Sequence, residues 1–298
     1  MTVLRLLAAL LSCNAAAHAA ELQSLTDRPI TLPQGNIDLT LHGTYTNWGN
    51  GLFGLTPGSI DGETVAIGAD FGATDQVQLG LGVALPIHPG AAFGSLLANA
   101  LFTVDPRIAV RLDAGYERVG INGGTDIRND HANGYFGGLG AAIKVPITEA
   151  VSFVTGQNGA VGFGHFNNIG LGTAGLYFGA TGLTPASSDF LIVSGNDSGG
   201  SDANIGINLP AGLLVQPDPR VAVTLQAGYS AVIRTSGLTG TLHFVPLALE
   251  AVVSPAPALD VGARFSLEGY VGASDERLRL GASYFDLRAL MIWFRFRA

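Results

Sequence analysis

Apolar residues recur at every second position through most of this chain. Beyond the N-terminus they never run on for the roughly 18 positions that a membrane-crossing helix needs. From Asn36 onward Ile37, Leu39, Leu41 and Tyr45 alternate with Asp38, Thr40, His42 and Thr44. Val77, Leu79, Leu81, Val83 and Leu85 alternate with Gln76, Gln78, Gly80, Gly82 and Ala84, and Ile108 to Tyr116 alternate with Arg111, Asp113 and Glu117. A helix would mix these sets within one turn, whereas a strand puts each on its own face.

Composition narrows the choice further. Charged residues make up 13% of the chain, about half the share typical of a soluble domain. A chain this apolar without a spanning helix has one known membrane solution, the closed barrel. The net charge of −8 argues against nucleic acid as a partner.

Turn chemistry alternates in length. Short connections (Ala73 to Asp75, Val104 to Arg107, Pro146 to Ala150, Gln216 to Arg220, Ser254 to Ala258) carry mainly Asp and Pro, as tight turns do. Long polar stretches lie between them: Asn47 to Gly62, Gly120 to Asn133, and Gln157 to about Ala203. Short turns at one rim and long loops at the other describe an all-β, antiparallel up-and-down transmembrane barrel of about twelve strands, within the range of ten to fourteen. The strand count is open in 157–203 and in 271–288.

Residues 1–19 read as a signal peptide: Arg5, the apolar run Leu6 to Leu11, then Ala17-His18-Ala19. Leu10-Leu11-Ser12-Cys13 offers a rival reading as a lipidation site. No other cysteine follows, so no internal disulfide is expected. Residues 20–35 form a polar periplasmic leader, and 36–298 the barrel. At the far end Leu290, Ile292, Phe294 and Phe296 alternate with Trp293, Arg295 and Arg297. This strand resembles the C-terminal signal read by the barrel-insertion machinery, although the chain ends on Ala298 rather than an aromatic residue.

An internal echo joins Asp105–Tyr116 to Asp218–Tyr229. The two differ only at Ile108 against Val221, Arg111 against Thr224, and Asp113 against Gln226. One face of the strand is kept and the other varies.

Two passages carry a family likeness. Asp27-Arg28-Pro29-Ile30-Thr31-Leu32-Pro33-Gln34-Gly35, and Gly72 to Leu81 with its Thr74-Asp75 turn, resemble outer-membrane transporters of the meta-pathway phenol-degradation type. That resemblance implies a barrel with a channel or uptake role.

Enzymatic motifs are weak. Asn196 to Gly200 mimics the G-D-S-G-G of serine proteases without its first glycine, and Gly170-x-Gly172-x-x-Gly175 lacks a βαβ context. His131 beside Asp126 and Asp130, or His165, would have to serve an outer-membrane hydrolase. Asp126, Asn129 and Asp130 match no calcium-loop consensus. No enzyme activity, catalytic residue, metal or cofactor is expected.

The candidate functional residues are instead those on the polar strand face: Arg111, Asp113, Glu117, Lys144, Gln226, Arg264 and Glu268. In a barrel these line the lumen and set selectivity, unless opposite charges pair across it and plug it. Glycine and alanine at inward positions, such as Gly80, Gly82 and Ala84, leave room there. The expectation is a channel or uptake porin of a Gram-negative bacterial outer membrane, passing small solutes by diffusion, with outer-membrane lipids around it. A closed structural or adhesive barrel with partner-binding loops is the alternative.

Overall fold

The computed structural model describes residues 22, 24–48, 60–88, 91–121, 131–155, 174–179, 183–187, 190–193, 204–234, 240–274 and 287–298. It is a closed, antiparallel, all-β barrel of twelve staves. The strands are β1 (Ile37–Trp48), β2 (Ile60–Thr74), β3 (Val77–His88), β4 (Ala91–Asp105), β5 (Ile108–Ile121), β6 (His131–Thr148) and β7 (Val151–Val154). They continue with β8 (Ala174–Gly179), β9 (Leu183–Ser187), β10 (Phe190–Val193), β11 (Asn204–Asp218), β12 (Val221–Arg234), β13 (Gly240–Ala256), β14 (Leu259–Ser274) and β15 (Leu287–Arg297).

The expectation of about twelve strands holds because β7 and β8 share one stave. Both lie between β6 and β11: Val154 pairs with Lys144 and Gly212, while Ala174 pairs with Ala141 and Gly175 with Asn208. The strands β9 and β10 pair only with each other, as a separate hairpin. The barrel closes where β1 meets β15, from Asp38 opposite Arg297 to Trp48 opposite Leu287. Residues Ile37 and Ala298 exchange backbone hydrogen bonds at the end of that seam, each 2.8 Å. Both chain ends of the barrel therefore sit at the rim that carries the two-residue turns.

Four of those turns are held by their own side chains. In the two echo passages Arg107 N–H donates to Asp105 Oδ1 (2.9 Å) and Arg220 N–H to Asp218 Oδ1 (2.7 Å). Thr74 and Thr148 accept in the same way from Gln76 and Ala150. A short polar side chain that captures the amide two residues on fixes a tight turn. Replacing Asp218 by alanine is expected to cost about 1 kcal/mol, read as a lower urea midpoint. An unchanged midpoint would show that Pro219 alone sets the turn.

The pleat turns the usual core inside out. Leu41, Ile67, Phe71, Leu81, Leu112, Leu213, Leu225, Leu249, Phe265, Ile292 and Phe294 are exposed on the outer wall. Thr40, His42, Asp70, Gln78, Asn99, Arg111, Asp113, Thr224, Gln226, Glu250, Arg264 and Arg295 are buried within. In the echo strands the polar differences, Arg111 and Asp113 against Thr224 and Gln226, face in, while the apolar difference Ile108 against Val221 lies on the outer wall.

Candidate functional site: the lumen and its turn-side mouth

Of the residues singled out by the alternation, Arg111, Asp113, Lys144, Gln226 and Arg264 all face inward and are buried. Glu117 lies in β5 and Glu268 in β14, but their side chains fall outside the described set. So do the side chain of His131, at the start of β6, and the residues Asp126, Asn129, Asp130, His165, Asn196 to Gly200, Gly170 and Gly172. Among the described residues no group of three metal-ligating side chains converges.

The inward charges engage one another both along a single stave and across neighbouring ones. Arg111 holds Asp113 through Nε (2.8 Å) and Nη2 (2.7 Å). Glu250 and Arg264 face each other in register across β13 and β14. Trp293 on β15 reaches over β14 to donate its indole N–H to Glu250 (2.9 Å). It does so across Gly262, where a Cβ atom would overlap the indole ring. At Gly80 the missing side chain likewise gives its place to the Asp70 carboxylate and the Asn99 amide. These inward glycines admit neighbouring side chains rather than leaving the lumen open. Counted by sign among the described residues, the buried cations Arg28, Arg111, Lys144, Arg264 and Arg295 match the anions Asp38, Asp70, Asp113, Glu250 and Asp260.

The leader supplies what pattern reading missed. Residues 24–36 do not trail away from the barrel but lie across its turn-side mouth. Ser24 to Arg28 form a turn, with the amides of Asp27 and Arg28 both bonded to Ser24 O. Leu25 is buried against Val154, Leu214, Ala222, Val252, Met291 and Trp293. Ile30 is buried against Leu101, Ala109 and Ala142. Each such burial is worth roughly 1.5–3 kcal/mol.

Polar contacts reach most of the way around the mouth. Gln216 Oε1 on β11 accepts from the amides of Leu25 (2.5 Å) and Thr26 (3.3 Å) and from the Ser24 hydroxyl (2.9 Å). Lys144 Nζ on β6 donates to the carbonyls of Leu25 (3.0 Å) and Arg28. Arg28 makes a two-pronged pair with Asp260 on β14, at 2.8 and 3.3 Å. Burial, and then the Arg295 charge, lower the Arg28 guanidinium from its ordinary pKa, while the Asp260 carboxylate works against them. Asp260 also accepts from Ser254 (2.5 Å), from Arg295 Nε (2.9 Å) and from Arg297.

The other half of the leader is fastened to the β2–β3 hairpin. Thr31 donates to Asp75 O (3.0 Å), Leu32 N–H to Gln78 Oε1 (2.9 Å), Gln34 N–H to Asp75 Oδ1 (2.9 Å) and Gly35 N–H to Gly72 O (2.8 Å). Gly72 is required at this crossing, since a Cβ there would overlap the Pro33 carbonyl. Gly35 takes a φ of 82°, a left-handed conformation that glycine adopts without strain. The two passages that carried the family likeness thus meet in space and bond to each other.

No family model matches the chain, and no curated protein matches its sequence. Solved structures do match. An outer membrane channel from Pseudomonas putida F1 superposes with a TM-score of 0.53 at 11% identity, covering 91% of this chain and 98% of that one. The fold is that of an outer-membrane β-barrel. The translocator domain of the autotransporter NalP from Neisseria meningitidis gives 0.48 at 14% identity over 97% and 96%. The NanC porin gives 0.44 at 8% identity over 87% and 98%.

Proposed function

We propose that this barrel lies in a bacterial outer membrane and is a channel or uptake porin through which small solutes diffuse. The observation that carries the reading is its inverted surface: apolar side chains cover the outer wall and polar or charged ones fill the inner face. A soluble barrel has the opposite distribution, while a barrel in lipid needs this one. Inward atoms such as both ring nitrogens of His42, Gln226 Oε1 and Glu250 Oε2 have no hydrogen-bond partner in the protein. Polar atoms of that kind are served by water. The short-turn rim, with both barrel termini, is then periplasmic, and the surrounding partners are outer-membrane lipids. The C-terminal strand serves the insertion machinery, and the likeness to meta-pathway transporters bears on uptake. No enzymatic role is proposed, nor binding of nucleic acid.

A closed structural or adhesive barrel is the second reading, favoured by the filled turn-side lumen. Planar-bilayer recording of the purified, refolded chain separates the two. Current steps are expected from a sample whose gel mobility shifts on heating; a folded, inserted sample that never conducts would leave the closed barrel. Arg111→Gln removes one inward cation and is expected to move the reversal potential in a salt gradient toward cation preference. An unmoved potential would take Arg111 off the conduction path.

A further inference from the structure

With the leader in place, the turn-side mouth is crossed by a chain segment that the barrel holds on two opposite sides. A solute on its way through the lumen meets Leu25, Arg28 and Ile30 before the periplasm. All three are buried. We propose that residues 24–30 are a gate whose latch is the pair Arg28–Asp260, so that the pore opens when this half of the leader swings away from β11 and β14. The inference rests on the channel reading and adds its regulation.

Three observations define the moving part. The leader divides into a half fastened to the neighbouring β2–β3 hairpin, from Thr31 to Gly35, and a half held by single side chains on the distant strands β6, β11 and β14. The second half depends on Gln216, Lys144 and Asp260, each of which the barrel retains when the leader leaves. Asp260 keeps Arg295, Arg297 and Ser254 as partners, so unlatching does not strand its charge. A cavity of about 600 Å³ borders the leader along Thr26 to Thr31, between it and the turns at Asp75 and Arg107. The segment is thus bordered by free volume, which Arg28 and Lys144 also line.

The test is single-channel recording in potassium chloride of three folded samples: the full chain, Arg28→Gln, and a variant lacking 24–34. Gel mobility before and after heating establishes folding in each. The full chain is expected to open rarely. Arg28→Gln should raise open probability roughly tenfold, equivalent to about 1.4 kcal/mol, with the open-state current unchanged. The variant without the leader should stay open, and a synthetic peptide of residues 22–35 added on the turn side should close it. Equal open probability in the full chain and Arg28→Gln overturns the gate and leaves the channel standing. If no folded sample conducts, the channel reading itself falls, and the gate with it. Should the shortened variant not fold, Arg28→Gln decides alone.

Discussion

An Asp260→Ala barrel is expected to be less stable than the parent by roughly 3–5 kcal/mol, the cost of removing one partner of a buried charge cluster. The carboxylate is 1% exposed and is the meeting point of Arg28, Arg295 and Arg297. These come from the leader and from β15, and Asp38 on β1 adds longer contacts of 3.9 Å to Arg295 and 3.6 Å to Arg297. The cluster therefore joins β14, β15, β1 and the leader at the seam where the barrel closes. Without Asp260, three guanidinium groups would face one remaining carboxylate in a place with little access for water. The measurement is the urea midpoint of the refolded protein, followed by heat-modifiable mobility. A midpoint within error of the parent would mean that Asp38 alone can hold the seam.

Trp293→Ala is expected to lose a comparable amount, about 3–5 kcal/mol for emptying a large buried aromatic site. The indole is 1% exposed and packs with Leu25, Val154, Leu214, Val252 and Met291. It also donates to Glu250, and the Arg295 guanidinium lies 5.7 Å from its ring centroid. Gly262→Leu attacks the same contact from the other strand, because its side chain would claim the volume of the indole. The two single variants should each destabilise, and the double variant should lose less than their sum, as coupled neighbours do. Strict additivity would separate the indole from Gly262.

Much of the wall was legible from neighbours in the chain. Alternation at Leu39, Leu41 and Tyr45, or at Leu290, Ile292 and Phe294, is a local pattern with one geometric meaning, and it assigned outward and inward faces correctly wherever side chains are described. The Asp-Pro-Arg turns were readable for the same reason, since Asp105 and Asp218 bond only two residues ahead. The inward placement of Arg111, Asp113, Lys144, Gln226 and Arg264 followed from parity alone.

The stave shared by β7 and β8 could not be read this way, because strand identity there depends on pairing with β6 and β11 rather than on its own residues. The leader was the larger gap. Leu25, Ile30 and Leu32 are interrupted by Thr, Asp, Arg and Pro at neither helical nor strand spacing, so the segment reads as polar. Its burial is decided by partners far along the chain, Gln216 and Asp260 among them, that converge only once twelve staves have closed. The inward glycines show the same limit, for sequence registers a missing side chain but not that Trp293 or Asp70 moves into its place. Sequence by itself determined which face of each strand points outward, because that depends on the two-residue pleat. Only the tertiary structure decided what fills the lumen, because those contacts join residues that closure alone brings together.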